Sequence, residues 1–339
     1  MIISKTPYRI SFFGGGTDYP KWYQLHGGEV LSTSINCHSY ITCRFLPGFY
    51  SNKYRVAYSQ VENVEHSSQI QHPVVRAALK ELGLNEGLSI HHDGDLPACS
   101  GMGSSSTFTV GLLCALYAYL GIYKSPKALA DKAIYLEQKV LKECVGVQDQ
   151  ISTSFGGFNH IKIDADGSYD VKPVIALPEK LKQLQNNLIL VFTGQTRFSS
   201  DIAHQKVQSF DKKEKELLRM QSMVVDAVSI LRSNADLDDF GRLLDEAWHL
   251  KRSLSDNVSN STVDNMYEFG KAHGALGGKL LGAGGGGFVL FYVPECNREG
   301  LREAFSDKIC INPVFYSQGS QIVYARETKL IESRDFNYV

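Results

Sequence analysis

From Leu96 to Tyr123 the chain carries no charged residue, and no other stretch constrains the fold as much. Its first part is rich in glycine and serine, and only Phe108 to Tyr123 is mainly apolar. A helix that spans a bilayer needs roughly 20 apolar residues. The apolar part therefore predicts a helix over Ser104–Leu120 buried in a protein core. Leu88–His92, just before it, has the alternation of a strand. The local order is strand, glycine–serine loop, buried helix.

That loop reads Asp95-Leu-Pro-Ala-Cys-Ser-Gly-Met-Gly-Ser-Ser-Ser-Thr107. Gly101 and Gly103 permit positive φ and close approach of backbone to a ligand. Free N–H groups and the dipole at the start of the following helix favour an anion. Residues Gly101, Met102, Gly103, Ser104, Ser105 and Ser106 are thus candidates to cradle a polyphosphate, with a serine hydroxyl left for Mg²⁺. The plainer alternative is a turn that only caps the helix.

Two further glycine clusters bracket the chain. Near the start, Thr6-Pro-Tyr-Arg-Ile-Ser-Phe-Phe-Gly-Gly-Gly-Thr-Asp18 delivers Arg9 on a strand and Asp18 after a turn. An arginine can stabilise a phosphate or oxyanion, and a carboxylate can accept bonds from sugar hydroxyls. Near the end, Lys279-Leu-Leu-Gly-Ala-Gly-Gly-Gly-Gly-Phe288 leaves backbone with almost no side-chain cover. It is not a Walker A loop, because His273 and Leu280 stand where that motif needs glycine and Ser/Thr.

Around these segments the pattern is mixed. Strands are predicted over Ile2–Phe13, Glu29–Ile35, His38–Phe45 and Tyr54–Tyr58, and a helix over His72–Gly83. Ser125-Pro126 starts a helix that should run to about Lys142, with Ser125 as N-cap. The run DADGS at 164–168 marks a hairpin. A loop near Leu177–Asn187 is the expected boundary. Beyond it come the strand Leu188–Thr193, several helices between Ser199 and Ala272, the strand Phe288–Val293 and a helix over Arg298–Lys308. Pro313–Tyr316 and Gln321–Ala325 are the last predicted strands. The class is α+β.

The 339 residues are enough for two lobes. Thirty-five basic residues face thirty-six acidic ones, so bulk charge supports neither nucleic-acid nor membrane binding. Seven scattered cysteines without a CxxC predict reduced thiols rather than a disulfide framework or zinc site. With no visible secretory signal at the N-terminus, a cytoplasmic location is expected. His91-His92-Asp93 is unsuited to a metal, since neighbours on a strand point to opposite faces. Trp22, Tyr23 and Tyr40 could stack on a sugar or simply pack.

The three glycine segments, in this order, resemble the GHMP kinases. The loop from Pro97 to Ser106 matches the family's phosphate motif, with Met102 for Leu and Ser106 for Ala. The resemblance implies a two-lobed fold: a ribosomal protein S5 domain 2-like lobe over 1–180 and a ferredoxin-like lobe over 187–330. It implies ATP and Mg²⁺ as cofactors. Gly146-Val-Gln-Asp149 fits the family's Gly-x-x-Asp context, which makes Asp149 the expected catalytic carboxylate and Arg9 its basic partner. The expected metal pair is Ser105 with Glu137. Gly15, Gly16, Thr17, Asp18, Gly284 and Gly285 become substrate-site candidates.

Galactokinase-like members carry Gly-Glu-His-Thr-Asp where this chain has Gly14-Gly15-Gly16-Thr17-Asp18. The GGGTD form resembles the heptose-phosphate kinases of the family and, more distantly, fucose kinases. It implies phosphorylation of an anomeric hydroxyl, with a small-molecule sugar phosphate and ATP as partners, in a monomer or homodimer. A substrate that already carries phosphate needs a basic anchor. Arg197 is the first candidate, followed by Lys251 and Arg252. Fucose, galactose or N-acetylhexosamine 1-kinases remain alternatives, as do a ligand-sensing relative without turnover and a decarboxylase.

Overall fold

The computed structural model describes residues 1–196 and 200–326. The first strand, β1 (Ile2–Phe13), is buried along nearly its whole length. β2 (Gly28–Phe45) follows helix α1 (Pro20–His26) and pairs antiparallel with β1. Two strands were expected here, over 29–35 and 38–45. The chain instead forms one 18-residue strand, and a register shift between Pro7 and Arg9 absorbs the break at Asn36-Cys37. Such a bulge re-aims neighbouring side chains, and it lies beside Arg9.

β3 (Tyr54–Ala57), β4 (Val61–Val64) and β5 (Leu88–Gly94) continue this sheet, with helix α2 (Pro73–Glu81) before β5. The long α3 (Ser104–Tyr119) lies against β1 and β2. It fits closely: a Cβ on Gly111 would stand 2.8 Å from Thr6 Oγ1, and Ser4 donates to the Gly111 carbonyl at 2.8 Å. None of the described helices is long and apolar enough to cross a membrane. α4 (Pro126–Tyr135) is capped by Ser125, which accepts from the Ala128 N–H. It then passes into a π-helical segment, Leu136–Val140, and ends near the residue expected. α5 (Gln148–Phe155) and the hairpin β6 (Phe158–Ile163) and β7 (Tyr169–Pro173) complete this lobe, with the turn at Asp164–Ser168 as predicted.

The stretch expected as a boundary loop is helix α6 (Pro178–Asn186). Only Leu184 on it is buried, so its apolar periodicity is too thin to read. The second sheet comprises β8 (Leu188–Phe192), β9 (Gly277–Leu280), β10 (Phe288–Tyr292) and β11 (Cys310–Ile311), in the order β11-β8-β10-β9. Between β8 and β9 run α7 (Ser200–Gln208), α8 (Glu214–Arg232), α9 (Asp238–Ser253) and α10 (Ser261–Ala272), and α11 (Arg298–Ala304) follows β10. With its helices, that order is the ferredoxin-like arrangement. α11 stops short of Lys308. Residues 313–316 form no strand, only an isolated bridge from Phe315 to Ile35.

The last strand, β12 (Gln321–Ala325), crosses back and pairs with β1 at the edge of the first sheet. The core is likewise shared. Phe12 and Phe13 of β1 pack with Met223, Val224 and Phe240 of α8 and α9 and with Leu190 and Leu290 of the second sheet. Each such aromatic contributes about 1.5–3 kcal/mol by burial, so the lobes are held against each other by packing. A cavity of about 900 Å³ lies along this seam.

Candidate active site

All three glycine segments reach the cavity. Gly101 and Gly103 adopt φ of +79° and +77°, the left-handed region that glycine enters without strain. This loop turns the chain from strand β5 into α3, whose first N–H groups have no partner within the helix. Gly101, Gly103, Ser104, Ser105 and Ser106 line the cavity. Met102 does not. Its side chain is buried in the core and its carbonyl accepts from the Arg9 N–H at 3.2 Å.

The C-terminal glycines have a different task from the one expected of them. A Cβ on Gly282 would lie 2.5 Å from Gly101 Cα, and one on Gly287 would lie 2.3 Å from the Ser100 carbonyl. The loop is therefore bare so that it can back the phosphate loop. Gly284 lines the cavity while packing on Val258, and Gly285 donates to the Val258 carbonyl without lining it. Lys251 clamps the same loop by donating to the Leu280 and Gly282 carbonyls at 2.7 and 2.6 Å.

Arg9 and Asp149 meet directly. Arg9 Nε and Nη2 donate to the two Asp149 carboxylate oxygens, each at 2.7 Å, and Nη1 donates to the Gly101 carbonyl at 2.8 Å. A planar fork fits a carboxylate in this way, where a lysine would not. Arg9 is buried, while Asp149 keeps 24% of its side chain exposed toward the cavity. Three of the five guanidinium N–H groups are used, which leaves two for a ligand. Gly103 has to be glycine here too, since its Cβ would press on Arg9 and Asp149 at 3.3 and 3.4 Å.

Asp18 sits next to this pair. Its carboxylate accepts from the N–H groups of Gly16 at 2.9 Å and Gln148 at 3.3 Å. Its carbonyl accepts from the Val147 N–H. Burial pushes its carboxyl above the ordinary range, against the pull of the Gly16 N–H and Lys206. The glycine of Gly146-x-x-Asp149 has a clear physical reason: a Cβ there would lie 1.8 Å from Asp18 Oδ2. The first motif and the Gly-x-x-Asp turn thus form one hydrogen-bonded unit. Gly15, Gly16 and Asp18 line the cavity. Thr17 serves the turn instead, donating to the Gly14 and Glu29 carbonyls.

The expected pairing of Glu137 with Ser105 is corrected. Ser106 donates to Glu137 Oε2 at 3.0 Å, and Gln150 donates to the same oxygen at 2.5 Å, while Ser105 is exposed. Consecutive helical residues point about 100° apart, so only one of the two serines can face the carboxylate. Among the described residues Glu137 Oε1 is buried with no hydrogen-bond partner in good geometry. Burial pushes its carboxyl up to about 7, while Thr109, Gln150 and Ser106 pull it down. A hydroxyl next to an unsatisfied carboxylate oxygen is a donor set that suits Mg²⁺.

Of the proposed phosphate anchors, Arg197 lies outside the described residues. Arg252 turns away to Asp264, at 3.2 Å. Trp22 stacks on His26 and donates to Gln221, and none of Trp22, Tyr23 and Tyr40 lines the cavity. His91 is exposed while His92 faces Ser39. Sequence reasoning missed Tyr19, Lys206 and Lys279, all of which line the cavity. Lys279 donates to the Phe12 carbonyl at 2.7 Å, and burial with Arg9 and Lys206 nearby pushes it down to about 7. It also missed an aromatic end formed by Tyr58, His72 and Phe108, where the His72 ring stacks on Phe108 at 4.5 Å. Tyr19 follows the GGGTD turn and Lys279 opens the C-terminal glycine segment, but no local motif marks Lys206, Tyr58 or His72.

A bare phosphate-sized loop, an Arg–Asp pair and a buried carboxylate beside a serine define a phosphotransferase site. The family models agree. The N-terminal domain of the GHMP kinases matches residues 70–157 and the C-terminal domain matches 227–311. The chain belongs to the GHMP kinases and is an ATP-dependent kinase.

Among its relatives, a D-glycero-alpha-D-manno-heptose 7-phosphate kinase of Campylobacter jejuni is 30% identical over 322 residues, 89% of this chain and 92% of that one. A bifunctional fucokinase/GDP-fucose pyrophosphorylase of Arabidopsis thaliana is 26% identical over 318 residues, 86% of this chain but 30% of the longer protein. The crystal structure of a D-glycero-D-manno-heptose 1-phosphate kinase from Bacteroides thetaiotaomicron superposes with a TM-score of 0.79 at 22% identity, covering 96% of this chain and all of the other. A galactokinase of Lactococcus lactis complexed with galactose superposes at 0.69 and 17%, with 94% of each chain covered. These two superpositions speak to the fold.

Proposed function

We propose that this kinase transfers the γ-phosphoryl group of ATP to the anomeric hydroxyl of D-glycero-D-manno-heptose 7-phosphate, giving the 1,7-bisphosphate. The observation that carries the reading is the Arg9–Asp149 pair, set between the phosphate loop and the GGGTD turn. The similarity to the Campylobacter jejuni kinase supports the sugar.

Within this reading each residue of the cavity takes a role. The aromatic end at Tyr58, His72 and Phe108 receives the base of ATP, and residues 101–106 hold its phosphates. Asp18 accepts from sugar hydroxyls. Asp149 orients the anomeric hydroxyl and takes its proton on an oxygen lone pair that Arg9 leaves free. The two unused N–H groups of Arg9 meet the transferring phosphoryl group. Phosphoryl transfer depends on positioning and charge stabilisation more than on covalent chemistry, so this set suffices. Ser106 and Glu137 would hold Mg²⁺, which supplies charge neutralisation on the phosphates.

A coupled ADP-release assay tests the substrate. The panel should contain the 7-phosphate, the 1-phosphate and free forms of the heptose, with fucose, galactose and N-acetylhexosamines. The expected result is a kcat/KM for the 7-phosphate at least about a hundredfold above any other member, with the 1,7-bisphosphate as product. Preference for a free hexose would replace this reading with another sugar 1-kinase.

Glu137 offers a separate check. The folded carboxyl keeps its proton up to about pH 7, while the unfolded one releases it near 4.5. Ligand-free stability therefore falls as pH rises from about 4.5 to 7, by about 3 kcal/mol at most. Glu137→Gln should flatten this slope and make the ligand-free protein more stable at pH 8. The same variant should lose at least about tenfold in Mg²⁺-dependent kcat. Urea unfolding at pH 5.5 and pH 8, beside a Mg²⁺ titration, reads both. Unchanged metal dependence would remove Glu137 from the site.

A further inference from the structure

Five cations line the cavity: Lys142, which is exposed to solvent, and the buried Arg9, Lys206, Lys251 and Lys279. Three of the four buried ones have acceptors within the protein. Arg9 holds Asp149 and Gly101, Lys251 holds two carbonyls and Lys279 holds one. Lys206, on α7, is different. Its side chain is as buried as the others, with 5% of the residue exposed. Its ammonium lies 4.6 Å above the ring of Tyr19 and has no hydrogen-bond acceptor or ion pair among the described residues.

A buried ammonium with three unused donors is costly unless something supplies acceptors. The ring face of Tyr19 supplies attraction but no acceptor. Asp18 and Asp149 act on Lys206 only through space. Asp18 already accepts from Gly16 and Gln148, and Asp149 from Arg9. The charged and titratable groups that act on it are thus Asp18, Asp149 and Cys144, with Lys251 and Lys279 as like-charge neighbours. Its two carboxylate neighbours and Tyr19 place Lys206 at the acceptor end of the cavity.

A sugar hydroxyl would bring an acceptor but no charge. A phosphate monoester brings three acceptor oxygens and a negative charge to a place where Arg9, Lys206, Lys251 and Lys279 lie near only two carboxylates, Asp18 and Asp149. We infer that Lys206 is the residue that binds the phosphate already carried by the acceptor sugar, and so makes the kinase select a sugar phosphate over the free sugar. The inference rests on the sugar-kinase reading above and names the group that sets its substrate class. It also replaces Lys251 and Arg252, whose charged groups are engaged elsewhere.

Steady-state kinetics of the wild type, Lys206→Met and Lys206→Arg decide it, with heptose 7-phosphate and unphosphorylated heptose as acceptors. Met keeps the stem against Tyr19 and removes only the charge. It should raise KM for the 7-phosphate by about 30-fold or more, with KM for ATP within about threefold. The loss in kcat/KM should be at least about tenfold smaller for free heptose than for the 7-phosphate. Lys206→Arg should recover most of the loss. Inorganic phosphate should compete with the 7-phosphate in the wild type and not in Lys206→Met. Lys206→Gln serves if the Met variant does not fold.

Equal losses on phosphorylated and free heptose would overturn the assignment and make Lys206 a partner of Asp18. A rise in KM for ATP alone would overturn it in favour of the transferred phosphate. A wild type that prefers the sugar phosphate, with a Met variant that keeps the preference, sinks the Lys206 assignment only. A wild type that rejects every sugar phosphate sinks the substrate class as well.

Discussion

Replacing Asp149 by Asn is expected to lower kcat by about a thousandfold while KM for ATP stays within a fewfold. The substitution keeps size and shape but changes two things at once. The amide cannot take the acceptor proton. Its NH₂ also faces one donor of the Arg9 fork, which breaks a bond that now measures 2.7 Å. On the proposed reading the 101–106 backbone makes the nucleotide contacts, and these should survive. Arg9→Lys should show a smaller but parallel defect, about a hundredfold, because a lysine cannot bridge both carboxylate oxygens and the Gly101 carbonyl together. Stopped-time product assays at saturating ATP read both variants. A kcat for Asp149→Asn within tenfold of wild type would exclude this carboxylate as the base.

Gly101→Ala should damage nucleotide use as severely, by another route. At φ +79° an alanine is strained by about 1–2 kcal/mol. Its Cβ would also lie 2.5 Å from the Leu281 carbonyl, a backbone atom that cannot swing away. The phosphate loop and the C-terminal glycine loop must then separate, and the Gly101 carbonyl that receives Arg9 moves with them. The expected outcome is a loss of stability of about 2 kcal/mol or more and a kcat/KM for ATP down by about a hundredfold. Thermal melts with and without ATP, beside initial rates, measure the two effects. If alanine at 101 leaves both unchanged, the two loops do not depend on that contact.

The elements most visible in the sequence were those with a strong local cause. α3 was legible because sixteen residues without charge follow a glycine–serine loop. The N-cap Ser125 and the 164–168 turn were legible because capping and turn residues act within a few positions. α6 was read as a loop because a helix that buries one leucine has almost no apolar period. β2 was read as two strands because the bulge that joins them is set by its neighbour β1, through a register that no local pattern encodes.

The site divides in the same way. Arg9, Asp18, Asp149 and the glycines at 101 and 103 stood out as residue types in motifs. The motif points to Ser105, whereas Ser106 meets Glu137, because which hydroxyl does so depends on helix phase against the π-helical segment 136–140. Lys206 carries no local mark at all, and the motifs beside Tyr19 and Lys279 give those two residues no role. They matter through where distant segments come to rest.

The sequence by itself determined where the backbone is bare, which stretch must be buried, and which acidic and basic residues stand in the motifs. Those properties belong to single residues and their near neighbours. The tertiary structure decided that the two glycine loops back each other, that Gly146 roofs Asp18, and that one of four buried cations is left without an acceptor. Each of these is a close contact between segments more than a hundred residues apart, or a missing one, and packing alone sets such distances.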